Sequence, residues 1–253
     1  MLKGRHALVT GGGSGIGRAI ALALDRAGAQ VSVLGRGEAK LSDTADAFKN
    51  GGGVAVADVT DAAATSAAID ARIAAAGPVA ILINNAGAAE TAPFHRMSED
   101  LWQRMIAVNL TSVVNVTRAV LPAMRGLDYG RIINVASTAG LKGYAYVSAY
   151  VAAKHGVVGL TKALALELAQ TPITVNALCP GYTQTDMLDQ SIETIVSKTG
   201  MSADQARKKL AESNPQGRLV TPEEVSMAAL YLCGPHSNAM TGQAIAIAGG
   251  EVM

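Results

Sequence analysis

The chain has 253 residues, 49% hydrophobic and 16% charged, with 21 Lys and Arg against 20 Asp and Glu, for a net charge of +1. The length suits one large α/β domain with a sizeable core. The charge balance offers no basic patch of the kind nucleic-acid phosphates demand, so no nucleic-acid partner is expected. No run of about 18 uncharged apolar residues occurs, so no membrane span is expected. The opening "MLKGRHALVTGGG" is too short in its apolar part for a signal peptide. Cys179 and Cys233 lie far apart in apolar surroundings, without metal-ligand spacing. The expectation is a cytoplasmic protein with no metal site.

"HALVT" (6–10) reads as the first strand and runs straight into "TGGGSGIG" (Thr10 to Gly17), which opens a helix over 15–28. Gly11 can make the sharp turn out of the strand, and Gly15 lets backbone approach a pyrophosphate. Gly17 allows the helix to pack closely on the sheet. With Ser14 and Ile16 between them, these residues leave free N–H groups and a positive dipole end for a phosphate. The second strand, "QVSVLG" (30–35), ends where an acid would select NAD and an arginine NADP. Gly35 and Arg36 stand there. A guanidinium suits a 2′-phosphate, so NADP(H) is favoured and NAD(H) remains possible. Arg36 could instead be a solvated turn residue or stack on the adenine.

Further strands follow at 53–58, 79–84, 130–137, 173–179 and 243–249, each β-branched and almost continuously apolar. Helical patterns at 38–49, 61–76, 98–125, 148–169 and 221–233 separate them. This alternation predicts an α/β fold: a doubly wound parallel sheet of about seven strands, helices on both faces, in a single domain. Only 182–216 breaks the rhythm, with two short helical patterns after a strand end. An insertion there predicts a substrate lid. Its Arg207, Lys208 and Lys209 are either a solvated helix face or a landing site for coenzyme A phosphates.

In "YVSAYVAAKHG" a tyrosine, Tyr150, precedes a lysine, Lys154, by four residues, which puts both on one helix face. Many ordinary helices carry such a pair. However, TGxxxGxG near the N-terminus, "NNAG" at 84–87 and Y-x-x-x-K occur here in order, and with them the chain resembles the short-chain dehydrogenase/reductase family from Gly4 to Gly250. Within that family it is most similar to 3-oxoacyl thioester (acyl-carrier-protein or CoA) reductases.

The resemblance implies a Rossmann-like fold, hydride transfer with NAD(H) or NADP(H), and a homotetramer. It implies a catalytic set of Asn109, Ser137, Tyr150 and Lys154, the last two also touching cofactor. It further implies cofactor contacts from Asp58 and Val59, from Asn85, Ala86 and Gly87, and from Pro180, Gly181 and Thr185. A phenol of pKa ~10 is a poor base at neutral pH, and a neighbouring ammonium would lower it. Ser137 would orient the substrate oxygen, and Asn109 would offer side chain or backbone to a proton-relaying water.

The small-molecule substrate is expected to be a ketone or secondary alcohol, foremost a 3-oxoacyl or 3-hydroxyacyl thioester. A cyclic, steroid or polyketide-type alcohol is the alternative. A dinucleotide-binding regulator or scaffold without turnover is the alternative of another class. Tyr144 and Tyr146 could line the pocket or pack against a neighbouring subunit. Ala248 departs from the aspartate that many relatives carry before the paired glycines, which bears on a C-terminal interface.

Overall fold

A computed structural model describes the whole chain, Met1–Met253. Seven strands, β1 (His6–Thr10), β2 (Gln30–Gly35), β3 (Gly52–Val56), β4 (Val79–Asn84), β5 (Gly130–Val135), β6 (Ile173–Pro180) and β7 (Ala244–Ile247), form one sheet in the order β3-β2-β1-β4-β5-β6-β7. Every pairing is parallel. Successive strand residues point to opposite faces, so each face carries its own core. Ala7, Val9, Ile81 and Ile83 pack with Ile20, Leu24, Val225 and Leu232 of helices α1 (Gly15–Arg26) and α9 (Pro222–Leu232). Leu8, Leu82 and Ile132 pack on the other side with Ile69 of α3 (Ala62–Ala76) and with Val116 and Val120. The doubly wound architecture expected from the alternation is present.

The strand order reverses between β1 and β4, which opens a crevice at their C-terminal ends. Thr10 closes its floor: its hydroxyl accepts from the backbone N–H of Asn85 at 2.9 Å and of Ala86 at 3.0 Å.

Several element ends differ from the sequence pattern by a few residues, β3 and β7 among them, and three differences bear on the site or have a visible cause. Helix α2 (Glu38–Ala45) stops short of 49, because the buried Asp25 carboxylate captures the N–H groups of Lys49 and Asn50. Strand β5 ends at Val135 rather than at 137, because Ser137 caps a tight turn at Thr138–Gly140. The pattern at 98–125 is α4 (Glu99–Ile106), a π turn (Ala107–Thr111) and α5 (Ser112–Met124) in continuous succession. Glu99–Met124 is long and apolar enough, by length and composition, to cross a membrane. Here Val113, Val116, Val120 and Met124 face the sheet core instead.

The segment after β6 holds α7 (Asp186–Thr199) and α8 (Ala203–Ala211), capped by Thr185 and by a Ser202–Gln205 capping box. Leu188, Ile192, Ala206 and Leu219 give this helix pair a small core of its own. A bridge between Thr183 and Val220 ties its two ends together.

Candidate active site

The glycine turn is built around its own backbone. Gly11 has φ +64°, and a Cβ on Gly17 would overlap the Gly11 carbonyl. The Ser14 side chain makes no capping bond, and the first turn of α1 carries no acid. The N–H groups of that turn are thus left for an anion. Thr185, which caps α7, stands over the turn, where a Cβ on Gly15 would lie 3.0 Å from its methyl group. Lys40 of α2 pairs with Asp186, the first residue of α7, at 3.0 Å. A glycine cradle that side chains would fill, facing an uncapped helix N-terminus, fits the pyrophosphate of a dinucleotide.

At the far end of the crevice, Gly35 presents no acid and the Arg36 side chain is 82% exposed. Its guanidinium lies 4.0 Å from the Asp58 carboxylate. That carboxylate sits below the usual range, mainly through the N–H and hydroxyl of Thr60 and only then through Arg36. Arg36 is therefore loosely held and can reorient towards a phosphate. The Val59 side chain is buried in the core and its carbonyl accepts from the Asn115 amide at 3.2 Å, which leaves its backbone N–H for a ligand.

Ser137 follows the end of β5, and its hydroxyl accepts from the Ala139 N–H at 3.1 Å. Tyr150 and Lys154 stand one turn apart on α6 (Ser148–Glu167). Burial pushes the Tyr150 phenol above its ordinary value, while the neighbouring Ser137 hydroxyl opposes the rise. Lys154 is 4% exposed, and burial lowers its ammonium to about 8. Its Nζ donates to the Val135 carbonyl at 2.9 Å and lies 5.6 Å from the Tyr150 ring centroid. The sequence argument has the ammonium lowering the phenol. In this site burial governs both groups, because the ammonium is turned to a backbone carbonyl.

Asn109 occupies the π turn and is fully buried. Its amide donates to the carbonyls of Ala88 (2.8 Å) and Met105 (3.0 Å), and its oxygen accepts from the Ala88 N–H at 3.2 Å. The side chain is thus committed to the 87–88 strand exit, and the backbone is what remains for a water. A Cβ on Gly87 would lie 2.8 Å from the Asn109 oxygen and 3.6 Å from Lys154 Nζ. Asn109, Gly87 and Lys154 therefore converge. The Asn85 amide clamps the Thr10 carbonyl at 3.0 Å. Pro180 ends β6, and Gly181 N–H donates to Ile247 at 3.0 Å.

Sequence reasoning missed several neighbours. Thr10 was in view as the first letter of the glycine motif, but its bonds to Asn85 and Ala86 depend on two strands meeting. Thr138, Lys142, Tyr182 and Glu251 gave no local signal. Tyr144 bonds Thr138 and Glu251 at 2.6 Å each, whereas Tyr146 is exposed and has φ +67°. In the lid, Arg207 is taken by Asp189 at 2.8 Å, while Lys208 and Lys209 are exposed in the last turn of α8.

Residues 5–195 match the family described as short chain dehydrogenase. D-beta-hydroxybutyrate dehydrogenase of Cupriavidus necator is 42% identical, with 100% of this chain and 99% of the relative covered. Acetoacetyl-CoA reductase of Shinella zoogloeoides is 39% identical, with 98% of each covered. The crystal structure of an actinorhodin polyketide ketoreductase with NADPH aligns at a TM-score of 0.93 and 39% identity, over 99% of both chains.

Proposed function

We propose, from the premise that this chain belongs to the short chain dehydrogenase family and is an NAD(P)-dependent oxidoreductase of hydroxyl and keto groups, that it reduces a 3-oxoacyl thioester to the 3-hydroxyacyl thioester with NADP(H). The observation that carries this reading is the convergence of Ser137, Tyr150, Lys154 and Asn109 at the strand ends beside the glycine turn.

NADPH, when bound, supplies the hydride that reduces the carbonyl carbon. Gly11, Ser14, Gly15, Ile16 and Gly17 hold its phosphates, and Arg36 its 2′-phosphate. Asp58 and Val59 take the adenine end. Asn85, Ala86 and Gly87 support the crevice floor, and Pro180, Gly181 and Thr185 the nicotinamide end. Ser137 donates a hydrogen bond to the substrate oxygen and holds it against Tyr150. Tyr150 gives its proton to that oxygen as negative charge develops. Lys154 stabilises the phenolate left behind and, with water held at the Asn109 backbone, returns a proton to it. A phenol that burial keeps protonated is in the state that reduction requires.

The lid at 182–216 covers the substrate, and Lys208 and Lys209 are free to meet its phosphates. The likeness to a polyketide ketoreductase favours a polyketide-type ketone as the second reading. The enzyme assembles as a homotetramer through the outer faces of Glu99–Met124 and α6. Two buried, unpaired cysteines suit the reducing cytoplasm.

The test is to follow loss of reduced nicotinamide absorbance with acetoacetyl-CoA, using NADPH and NADH in parallel. Fast oxidation that prefers NADPH is expected. No oxidation while NADPH still binds would overturn the thioester substrate and leave cyclic or polyketide-type ketones to be tried. A preference for NADH would overturn the role given to Arg36.

A further inference from the structure

Three tyrosines gather near the substrate side of Ser137. Tyr144 and Tyr182 meet edge to face with ring centroids 6.4 Å apart, and Tyr182 lies close enough to Tyr150 to raise its pKa. Only one of these phenols can be the proton donor. What restrains Tyr144 comes from the other end of the chain. The Glu251 side chain is 1% exposed. Its Oε1 accepts from the Tyr144 hydroxyl at 2.6 Å and from Lys142 Nζ at 3.1 Å, and its Oε2, also buried, has no protein partner.

A phenol has one proton, and a carboxylate has none to give. Tyr144 therefore donates to Glu251 and accepts from the Thr138 hydroxyl, itself 2.6 Å away. Hydrogen bonds to an ionised acceptor are the stronger kind, so the order of donors is set by the carboxylate. Burial and then the Glu251 bond hold the Tyr144 phenol well above its ordinary value. Thr138 is the residue after Ser137 and is itself buried.

The backbone around Glu251 is arranged to deliver this carboxylate. Gly249 and Gly250 have φ +59° and +95°, and a Cβ on Gly181 would come 3.0 Å from Oε2. Gly249 packs directly on the Asn214 side chain, and Gly250 on Pro215, where the chain leaves the lid helices.

We infer that Glu251 is a positioning residue: through Tyr144 and Thr138 it holds the segment that carries Ser137, and it withdraws the Tyr144 proton so that Tyr150 alone faces the carbonyl. The C-terminal turn thereby links the lid exit to the catalytic segment. This rests on the reading of the chain as a ketone reductase, because its consequence is a rate.

The test compares Glu251→Ala and Glu251→Gln in the full chain. One measurement is steady-state reduction of a ketone thioester; the other is amide hydrogen exchange over residues 138–146. Glu251→Ala is expected to lower kcat roughly 10- to 100-fold, the scale of small misplacements near a reacting centre. NADPH affinity should stay within about twofold, and exchange over 138–146 should rise. Glu251→Gln still accepts from Tyr144 and should recover most of the rate, whereas loss of fold alone would not be rescued selectively. A kcat for Glu251→Ala within twofold of wild type overturns the inference, as does a Gln variant equally impaired. If the wild-type enzyme reduces no ketone, the functional reading fails by itself. The exchange comparison still decides the link, and unchanged exchange in Glu251→Ala overturns it.

Discussion

Tyr150 and Lys154 are shifted in opposite directions by one cause. Desolvation disfavours charge, so the phenol is pushed up and the ammonium is pulled down to about 8. A Tyr150→Phe variant keeps the ring and the packing but loses the proton. Its turnover is expected to fall about 10²- to 10⁴-fold, the usual share of a general acid, with NADPH affinity unchanged by fluorescence titration. Lys154 gives a pH signature. Its lowered pKa means that the ammonium loses its proton as pH rises through about 8 rather than at its ordinary value of 10.5. The kcat/KM for ketone reduction, which reports the free enzyme, is therefore expected to decline above about pH 8. A flat profile to pH 10 would contradict the role given to that ammonium.

At the scale of elements, the π turn at Ala107–Thr111 places Asn109 where a regular helix would not. π turns of this kind recur at functional sites. Asn109→Ala removes three bonds to Ala88 and Met105. The expected loss is about 1–3 kcal/mol of stability for the groups left unsatisfied, together with a slower kcat, measured by chemical denaturation and steady-state kinetics.

At the opposite end of the sheet, β1, β2 and α3 are joined by a buried histidine. His6 Nδ1 lies 2.8 Å from the Gly77 carbonyl and its Nε2 lies 2.9 Å from Ser32 Oγ. Arg72 Nε donates to the same Ser32 oxygen at 3.0 Å. A carbonyl can only accept, so Nδ1 carries a proton; Ser32, already accepting from Arg72, donates its own hydrogen to Nε2, which suits the neutral ring. Burial first, and Arg72 as well, lower the pKa of His6 from 6.5. Below pH 6.5 the unfolded chain takes up a proton that the folded ring refuses. Stability from this group is thus intact above about pH 6.5 and declines as pH falls towards the folded value. The melting temperature is expected to drop between pH 7 and 5, and the slope to flatten in His6→Phe even though that variant melts lower throughout.

For the molecule as a whole, the parallel sheet places every functional segment at one edge. The C-terminal ends of β1, β4, β5 and β6 lead into the glycine turn, the Asn85–Gly87 segment, Ser137 and Gly181. The outer surface keeps large apolar side chains exposed, among them Leu166 on α6 and Met227 and Tyr231 on α9. Such surface suits association between copies. Sedimentation is expected to give a tetramer of about four times the 25.8 kDa chain mass; a monomer at micromolar concentration would refute the proposed assembly.

The order of the elements, the seven strands and the glycine turn were legible in the sequence because each is encoded locally. Strands show continuous apolar runs, helices a 3.6-residue period, and turns their glycines. The Tyr150–Lys154 pair was visible for the same reason, since four residues make one helical turn. The stop of α2 at Ala45 was not visible, because the Asp25 carboxylate of another helix decides it, and neither the π turn nor the cap by which Ser137 ends β5 carries a periodic signal. The direction of the Tyr150 shift depends on burial, which no local pattern reports. Glu251 and Tyr144 meet across 107 residues, and His6 and Gly77 across 71. Such contacts exist only once the sheet has assembled, because its parallel register brings distant strand ends to one edge and the burial there sets their charges.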